Sequence, residues 1–510
     1  MTTASISSSL RAPPDAWGYS DVADGQMTAD IDEDHASLEG VRQNFKGQEI
    51  GDASRHVPTS SNAIIALWQT NNMVQRIISG LLLGAAVTVY LILGPSSAPI
   101  YLCSFVVAIC NYEYAWLTHR IAYRFSVTYA HQAAGDDAAS EIAPLDLTSV
   151  AASRLPLGTR HPKLVAGAAA FVVAGAVTAM LLLLQHTLFH YQTVSYINIY
   201  QQSQVYTWVD FVLLMAISTW GTIFCALLTP TPASAINHVL QMFVYSLSVL
   251  NFFTCQRYDT KCYQLMQSFG GRLNVVLLVL MNRVPWWRKA SQVQAVDAVM
   301  HVMLDIVGFA YIAMLMSPVS SLLMEVDQGA RIALGFLAVV WGVDTGAYFC
   351  GHLLKSIGYT RSHFLARHIS PNKDIEGSVG GIIIGLTATL LVDALWTQTS
   401  GLASNSDLDA QNRIARVWRI VFAVVGGAIS RYGDLFASLL KRLAGVKDTG
   451  TLIPGHGGLL DRVDAMLFLG AIFSLYHRFG FFQGYDSDIS QAYQNLVYAL
   501  QSVTGAMSGQ

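Results

Sequence analysis

The sequence predicts an all-α fold, a polytopic helical membrane protein of roughly nine to eleven transmembrane helices, because lipid leaves backbone groups no partner except one another. Three observations carry that prediction. Hydrophobic residues make up 53% of the 510 and charged residues only 12%, with a mean hydropathy of +0.41, where soluble domains carry roughly 25% charged residues. Apolar runs near the roughly 20 residues that cross a bilayer recur along the chain. Lys and Arg gather in some of the connections between those runs and avoid others.

Residues 1–65 hold Ser, Thr, Gly and Pro with scattered acids (Asp30, Asp32, Glu33, Asp34) and no apolar period. They are expected to form a disordered cytosolic tail, since they cannot bury enough surface to offset ordering entropy. The spans expected next lie at 77–94, 99–118, 164–184, 208–229, 300–323, 331–350, 378–396, 418–438 and 464–482, with 236–254 weaker and 273–287 short and interrupted. These divide the chain into an N-terminal and middle bundle at 66–340, carrying a polar insert near 126–160, a catalytic region at 341–485 and a C-terminal tail at 486–510.

Orientation follows the positive charges. The connections at 119–163 (Arg120, Arg124, Arg154, Arg160, Lys163), 351–377 (Lys355, Arg361, Arg367, Lys373) and 439–463 (Lys441, Arg442, Lys447, Arg462) are expected on the cytosolic side. The Tyr-rich stretch 185–207 has no Lys or Arg and is expected on the other. A net charge of -3 without a basic block gives no footprint for nucleic acid, and none is expected as a partner. The six cysteines form no CxxC pair, so neither a disulfide framework nor a zinc site is expected.

Chemistry concentrates in 430–464, a polar segment between two apolar runs. If 418–442 is one helix, Asp434, Ser438 and Lys441/Arg442 share a face. Asp461 and Asp464, three apart at the next helix start, share another. Between the two helix ends lies Pro454-Gly455-His456-Gly457-Gly458. Such a turn can bring consecutive N–H groups to an anion, with Lys441, Arg442, Lys447 and Arg462 around it. Asp434 and Asp461 are candidate ligands for Mg2+, which binds through one or two carboxylates and leaves positions for phosphate. Singly, the cations are ordinary membrane anchors and the turn an ordinary turn. Together, beside the membrane where charge is costly, they point to phosphoryl or nucleotidyl transfer.

The order Ser438-x-x-Lys441-Arg442, Lys447-Asp448-x-Gly450, Pro454-Gly455-His456-Gly457-Gly458-x-x-Asp461-Arg462-x-Asp464 resembles the signature of phosphatidate cytidylyltransferases. Asp344-Thr345-Gly346-Ala347-Tyr348 is similar to the family's Asp-x-x-Ala-Tyr segment. Ser370-Pro371-Asn372-Lys373-Asp374-Ile375-Glu376-Gly377 resembles its Ser-Pro-Lys-Lys-Thr-x-Glu-Gly segment, departing at Asn372, Asp374 and Ile375. Gln75-Arg76-Ile77 and Glu113 echo the family's start more loosely.

The resemblance implies a Mg2+-dependent reaction of CTP with phosphatidate that yields CDP-diacylglycerol and pyrophosphate in phospholipid biosynthesis. It implies a metal centre at Asp434 and Asp461, and catalytic roles for Lys441, Arg442, Lys447, Asp448, His456, Arg462 and Asp464. Substrate-binding roles fall to Asp344, Ser370, Lys373, Ser438, Gly457 and Gly458. The expected setting is the endoplasmic reticulum membrane with the site on the cytosolic side, the lipid bilayer as partner and a homodimer as a candidate assembly. Two rivals stay open: a CTP-dependent polyprenol kinase, which would release CDP, and a transporter, whose ionisable groups would line a path near mid-bilayer.

Overall fold

The computed structural model describes residues 72–93, 98–134, 145–191, 208–258, 269–283, 292–323, 329–359, 363–399, 406–450, 452 and 457–480. The expected tails at 1–65 and 486–510, most of the 185–207 connection and His456 lie outside the described residues.

Helix follows helix, as the apolar runs require. In chain order these are α1 (Asn72–Leu93), α2 (Ala98–Ala134), a 3-10 turn (Ala151–Arg154), α3 (Pro162–Tyr191), α4 (Trp208–Leu227), α5 (Pro232–Tyr258) and α6 (Phe269–Arg283). Then α7 (Gln292–Gly308) runs through a π-helical segment (Phe309–Met314) into α8 (Leu315–Leu323). After α9 (Gly329–Ser356) comes a small hairpin, β1 (Phe364–Ala366) and β2 (Ser370–Asp374), then α10 (Ile375–Thr399), α11 (Ser406–Ala444) and α12 (Leu460–Gly480).

Among the described residues six stretches are long and apolar enough to cross a membrane: Ala98–Gln132, Pro162–Leu183, Ala295–Ser320, Leu334–Ser356, Ile375–Val392 and Ile420–Ala444. Leu82–Leu91 and Val212–Leu227 are shorter apolar helices. This is an integral membrane protein by the length and apolarity of those helices. Two local expectations change. The 351–377 connection folds its centre into an antiparallel hairpin. The start of the expected insert is helical, because α2 continues through 126–134; where the described chain resumes at 145 it turns on Asp146 Oδ1, which accepts from the Thr148 and Ser149 amides at 2.8 and 3.1 Å.

Local chemistry sets several helix ends. Pro232 opens α5 where its missing N–H costs nothing, and Thr231 Oγ1 accepts from the Ser234 amide at 3.1 Å. Asp374 caps α10 through the Gly377 amide at 3.0 Å. Helix α11 ends in a Schellman turn: Gly445 has φ +71°, Val446 N–H reaches the Lys441 carbonyl at 2.9 Å, and Gly445 N–H reaches that of Arg442 at 3.0 Å.

The core that positions the site is aromatic and glycine-lined. Buried Tyr311, in the π segment, meets Phe436 of α11 at 5.1 Å and Phe468 of α12 at 5.8 Å between ring centroids. The hydroxyl of Tyr114 on α2 donates to the Leu304 carbonyl at 2.8 Å. Helices α9 and α10 cross on small residues: a Cβ on Gly342 would lie 2.6 Å from the Gly385 Cα, and one on Gly346 would lie 3.0 Å from that of Gly381. Such spacing lets backbones approach where lipid supplies no hydrophobic drive between helices. Gly433, beside Asp434, similarly admits the ring of Phe468, where a Cβ would stand 2.5 Å from Cδ2.

Candidate active site

Five polypeptide segments bring their charges together: α2, α9, the end of β2, α11, and the start of α12 with the loop before it. On α11, Asp434 faces the hairpin. Lys373 Nζ lies 2.6 Å from its Oδ1 and donates to the Asp434 carbonyl and to Ser438 Oγ, both at 3.1 Å. One lysine from β2 therefore reads two positions four apart on a helix, as their shared face allows. Burial pulls the Lys373 ammonium below the ordinary lysine range, and the Asp434 charge beside it opposes that shift. Arg431, one turn earlier, sends Nη1 to Asp344 Oδ1 of α9 at 3.2 Å and lies 3.6 Å from Asp434 Oδ2.

The second half is built on Asp461. Lys441 Nζ donates to its Oδ1 at 2.8 Å. Its Oδ2 accepts from the Thr449 and Gly458 amides at 2.8 and 3.0 Å. Glu113 of α2 enters from the other side: Thr449 Oγ1 donates to Oε2 at 3.0 Å, Leu459 N–H to Oε1 at 2.9 Å, and Leu460 N–H to Oε2 at 2.8 Å. Carboxylates suit the start of a helix, where amides lack partners and the dipole favours negative charge. Asp464, buried one turn into α12, is within electrostatic reach of Asp434, Asp344 and Lys441.

The expected residues thus divide. Lys373 and Arg431 join Asp344, Asp434 and Ser438 in one group, Lys441 pairs with Asp461 in another, and Asp464 is within electrostatic reach of both. Arg462 is within electrostatic reach of Asp344. Lys447 and Asp448 are exposed on the loop after α11, Asp448 packing close to Gly457. Ser370 is half-buried and pairs with Ala366 in the hairpin.

Arg442 stands apart from these contacts: it is exposed, and its Nε donates to the Ile369 carbonyl at 3.4 Å. Of the glycine turn expected to offer N–H groups to a phosphate, the Gly458 amide already donates to Asp461, and the Leu459 and Leu460 amides that follow donate to Glu113. The physical reason lies in the glycines. Gly457 sits at φ +86°, its place for a Cβ 2.9 Å from Asp461 Oδ2, and a Cβ on Gly458 would lie 2.5 Å from Glu113 Oε2. These glycines admit the protein's own carboxylates.

Arg431, Thr449 and the full part of Glu113 escaped the sequence reading. Arg431 stands one turn from Asp434, a spacing that marks it as a partner. Glu113 is a lone acid inside an apolar helix, the feature that membrane cost singles out.

The fold and the site define a class of helical integral membrane proteins that set paired carboxylates and cations beside a glycine turn. Comparison with known proteins gives the family. The cytidylyltransferase family model matches residues 74–480, and the chain belongs to that family. It is 40% identical over 131 residues to the phosphatidate cytidylyltransferase of Bacillus subtilis, covering 26% of this chain and 41% of the relative. The corresponding enzyme of Haemophilus influenzae is 36% identical over 152 residues, covering 30% and 47%. That of Thermotoga maritima is 38% identical over 146 residues, covering 29% and 48%. The chain therefore spans less than half the length of each of these three relatives.

Proposed function

We propose that this chain transfers the cytidylyl group of CTP to phosphatidate, giving CDP-diacylglycerol and pyrophosphate, in the endoplasmic reticulum membrane with the site facing the cytosol. The observation that carries this reading is the double carboxylate–lysine centre, Lys373–Asp434 at 2.6 Å and Lys441–Asp461 at 2.8 Å, within a chain of the cytidylyltransferase family. The activity for which the relatives are named, cytidylyl transfer to phosphatidate, suits such a centre.

Both substrates are anions, so charge neutralisation dominates the barrier. A phosphatidate oxygen forms its bond to the α-phosphorus of CTP while the bond to the bridging oxygen breaks, and pyrophosphate leaves with that electron pair. The attacking group is already ionised near neutral pH, so no residue need remove a proton. Lys373, Lys441 and Arg431 hold positive charge at the centre, while exposed Lys447 and Arg442 are placed to meet incoming phosphates. Among the described residues no group of three or more His, Cys, Asp or Glu side chains is arranged to hold an ion alone. Two carboxylates completed by substrate oxygens are the usual magnesium arrangement. Asp434 and Asp461 fit that role, each already faced by a lysine that phosphate can draw away. Mg2+ held there would neutralise phosphate charge.

The test incubates purified protein in detergent with phosphatidate, radiolabelled CTP and Mg2+, beside an Asp434→Asn variant. Cytidine label entering the lipid phase with pyrophosphate, and lost with the variant or with EDTA, is the expected result. Released CDP would instead mark a kinase, and absence of turnover from folded protein would remove the reading.

A further inference from the structure

The loop from Lys447 to Leu460 carries much of the signature, and its described stems are joined through side chains that lie outside it. Its first stem presents Thr449 and its second presents Gly458, Leu459 and Leu460. Two carboxylates bridge them. Asp461 Oδ2 accepts one amide from each stem, Thr449 at 2.8 Å and Gly458 at 3.0 Å. Glu113 takes the Thr449 hydroxyl from the first stem at 3.0 Å and the Leu459 and Leu460 amides from the second at 2.9 and 2.8 Å.

Glu113 comes from α2, more than 300 residues earlier in the chain, and is 3% exposed. Its carboxylate in an apolar helix is costly unless its oxygens are satisfied, and all three donors that satisfy it belong to this loop. The loop is in turn shaped around it. A Cβ on Gly450 would lie 2.8 Å from Glu113 Oε1 and one on Gly458 2.5 Å from Oε2, so both positions demand glycine while the carboxylate is there.

We infer that Glu113 is a positioning residue for the transfer reaction: by tying both stems together it fixes the start of α12 and aims Asp461 at Lys441 and the phosphates. It acts through Asp461 and need touch neither substrate. This rests on the proposed cytidylyl transfer for its activity readout but not for its structural one. Groups that orient a ligand in this way typically cost about 10–100-fold in metal affinity or activity when replaced.

The experiment compares wild-type full-length protein with Glu113→Gln in detergent, measuring amide hydrogen exchange by mass spectrometry, kcat, and the Mg2+ concentration for half-maximal rate. Gln keeps one acceptor oxygen and sets an NH2 against the remaining donors. Exchange over 449 and 458–460 should quicken roughly tenfold or more, for loss of a charge-assisted bond, while the other helices keep their protection. The Mg2+ requirement should rise and kcat fall by about 10–100-fold. Thr449→Val, which removes one donor and leaves the carboxylate, should give a smaller effect of the same kind that does not add to that of Glu113→Gln, and it serves if the first variant fails to fold. Lost activity with unchanged loop exchange would overturn the inference, because Glu113 would then act on substrate directly. A loosened loop with unchanged kcat and Mg2+ requirement would overturn it equally. Should wild-type protein label no lipid, the exchange comparison still decides whether Glu113 closes the loop, and only the proposed reaction falls.

Discussion

Replacing Lys441 by Met leaves Asp461 as a carboxylate without its cation, in a site where the two side chains are 14% and 5% exposed. Breaking a buried pair from one side costs about 3–5 kcal/mol, because the surviving charge stays desolvated. Here the lower end applies, since Asp461 Oδ2 keeps its two amide donors at 2.8 and 3.0 Å, and hydrogen bonds to a charge are worth about 1.5–3 kcal/mol each. Asp461→Asn costs about as much, for it strands the lysine and turns an NH2 toward either Lys441 or the amides. The double variant removes both charges, so its loss should fall short of the sum by about 2–3 kcal/mol, the coupling expected for residues in direct contact. Thermal unfolding of the four proteins in one detergent measures stability, and lipid labelling from radioactive CTP measures turnover. The double variant should recover stability but stay inactive, because the chemistry needs the carboxylate itself. Additive losses, or a double variant with restored turnover, would refute the claim that this pair is both a buried ion pair and part of the catalytic centre.

Three further outcomes are expected. Since burial lowers the Lys373 pKa, its proton leaves at a lower pH than from an ordinary lysine, taking the positive partner of Asp434 with it. The alkaline limb of kcat/KM should therefore begin below the usual lysine range, and Lys373→Arg, which stays charged, should move that limb upward in a pH–rate profile. Gly457→Ala forces a side chain into φ +86° with its Cβ 2.9 Å from Asp461 Oδ2. A cost of about 1–2 kcal/mol in thermal stability is expected, with turnover falling further because Asp461 is displaced. Gly385→Val sets a side chain against Val343 Cγ2, 2.7 Å from where its Cβ would stand. Overpacking costs about 1–3 kcal/mol, and by parting α9 from α10 it should lower activity through Asp344 and Lys373, read by unfolding and labelling together.

The family signature was legible because its residues are close in sequence and their spacing projects directly onto helix faces: Asp434 and Ser438 do share one lysine. Helix ends were less so. The α2 helix continues through 126–134 although that stretch is polar, and the hairpin at Phe364–Asp374 depends on pairings that no apolar period announces.

What the sequence by itself determined is the solvent and the family signature: apolar runs of spanning length dictate helices in lipid, and acids, cations and glycines packed into one segment point to the proposed phosphate chemistry beside it. The tertiary structure alone decided who holds whom. Asp434 is held by a lysine 61 residues away and Asp344 by an arginine 87 residues on. The Leu459 and Leu460 amides at the start of α12 face a carboxylate because α2 inserts Glu113 there, across a separation of 347 residues to Leu460. Spacing along one helix is fixed by the geometry of the backbone. Which side chain arrives from another helix depends on packing, which leaves no period in the sequence.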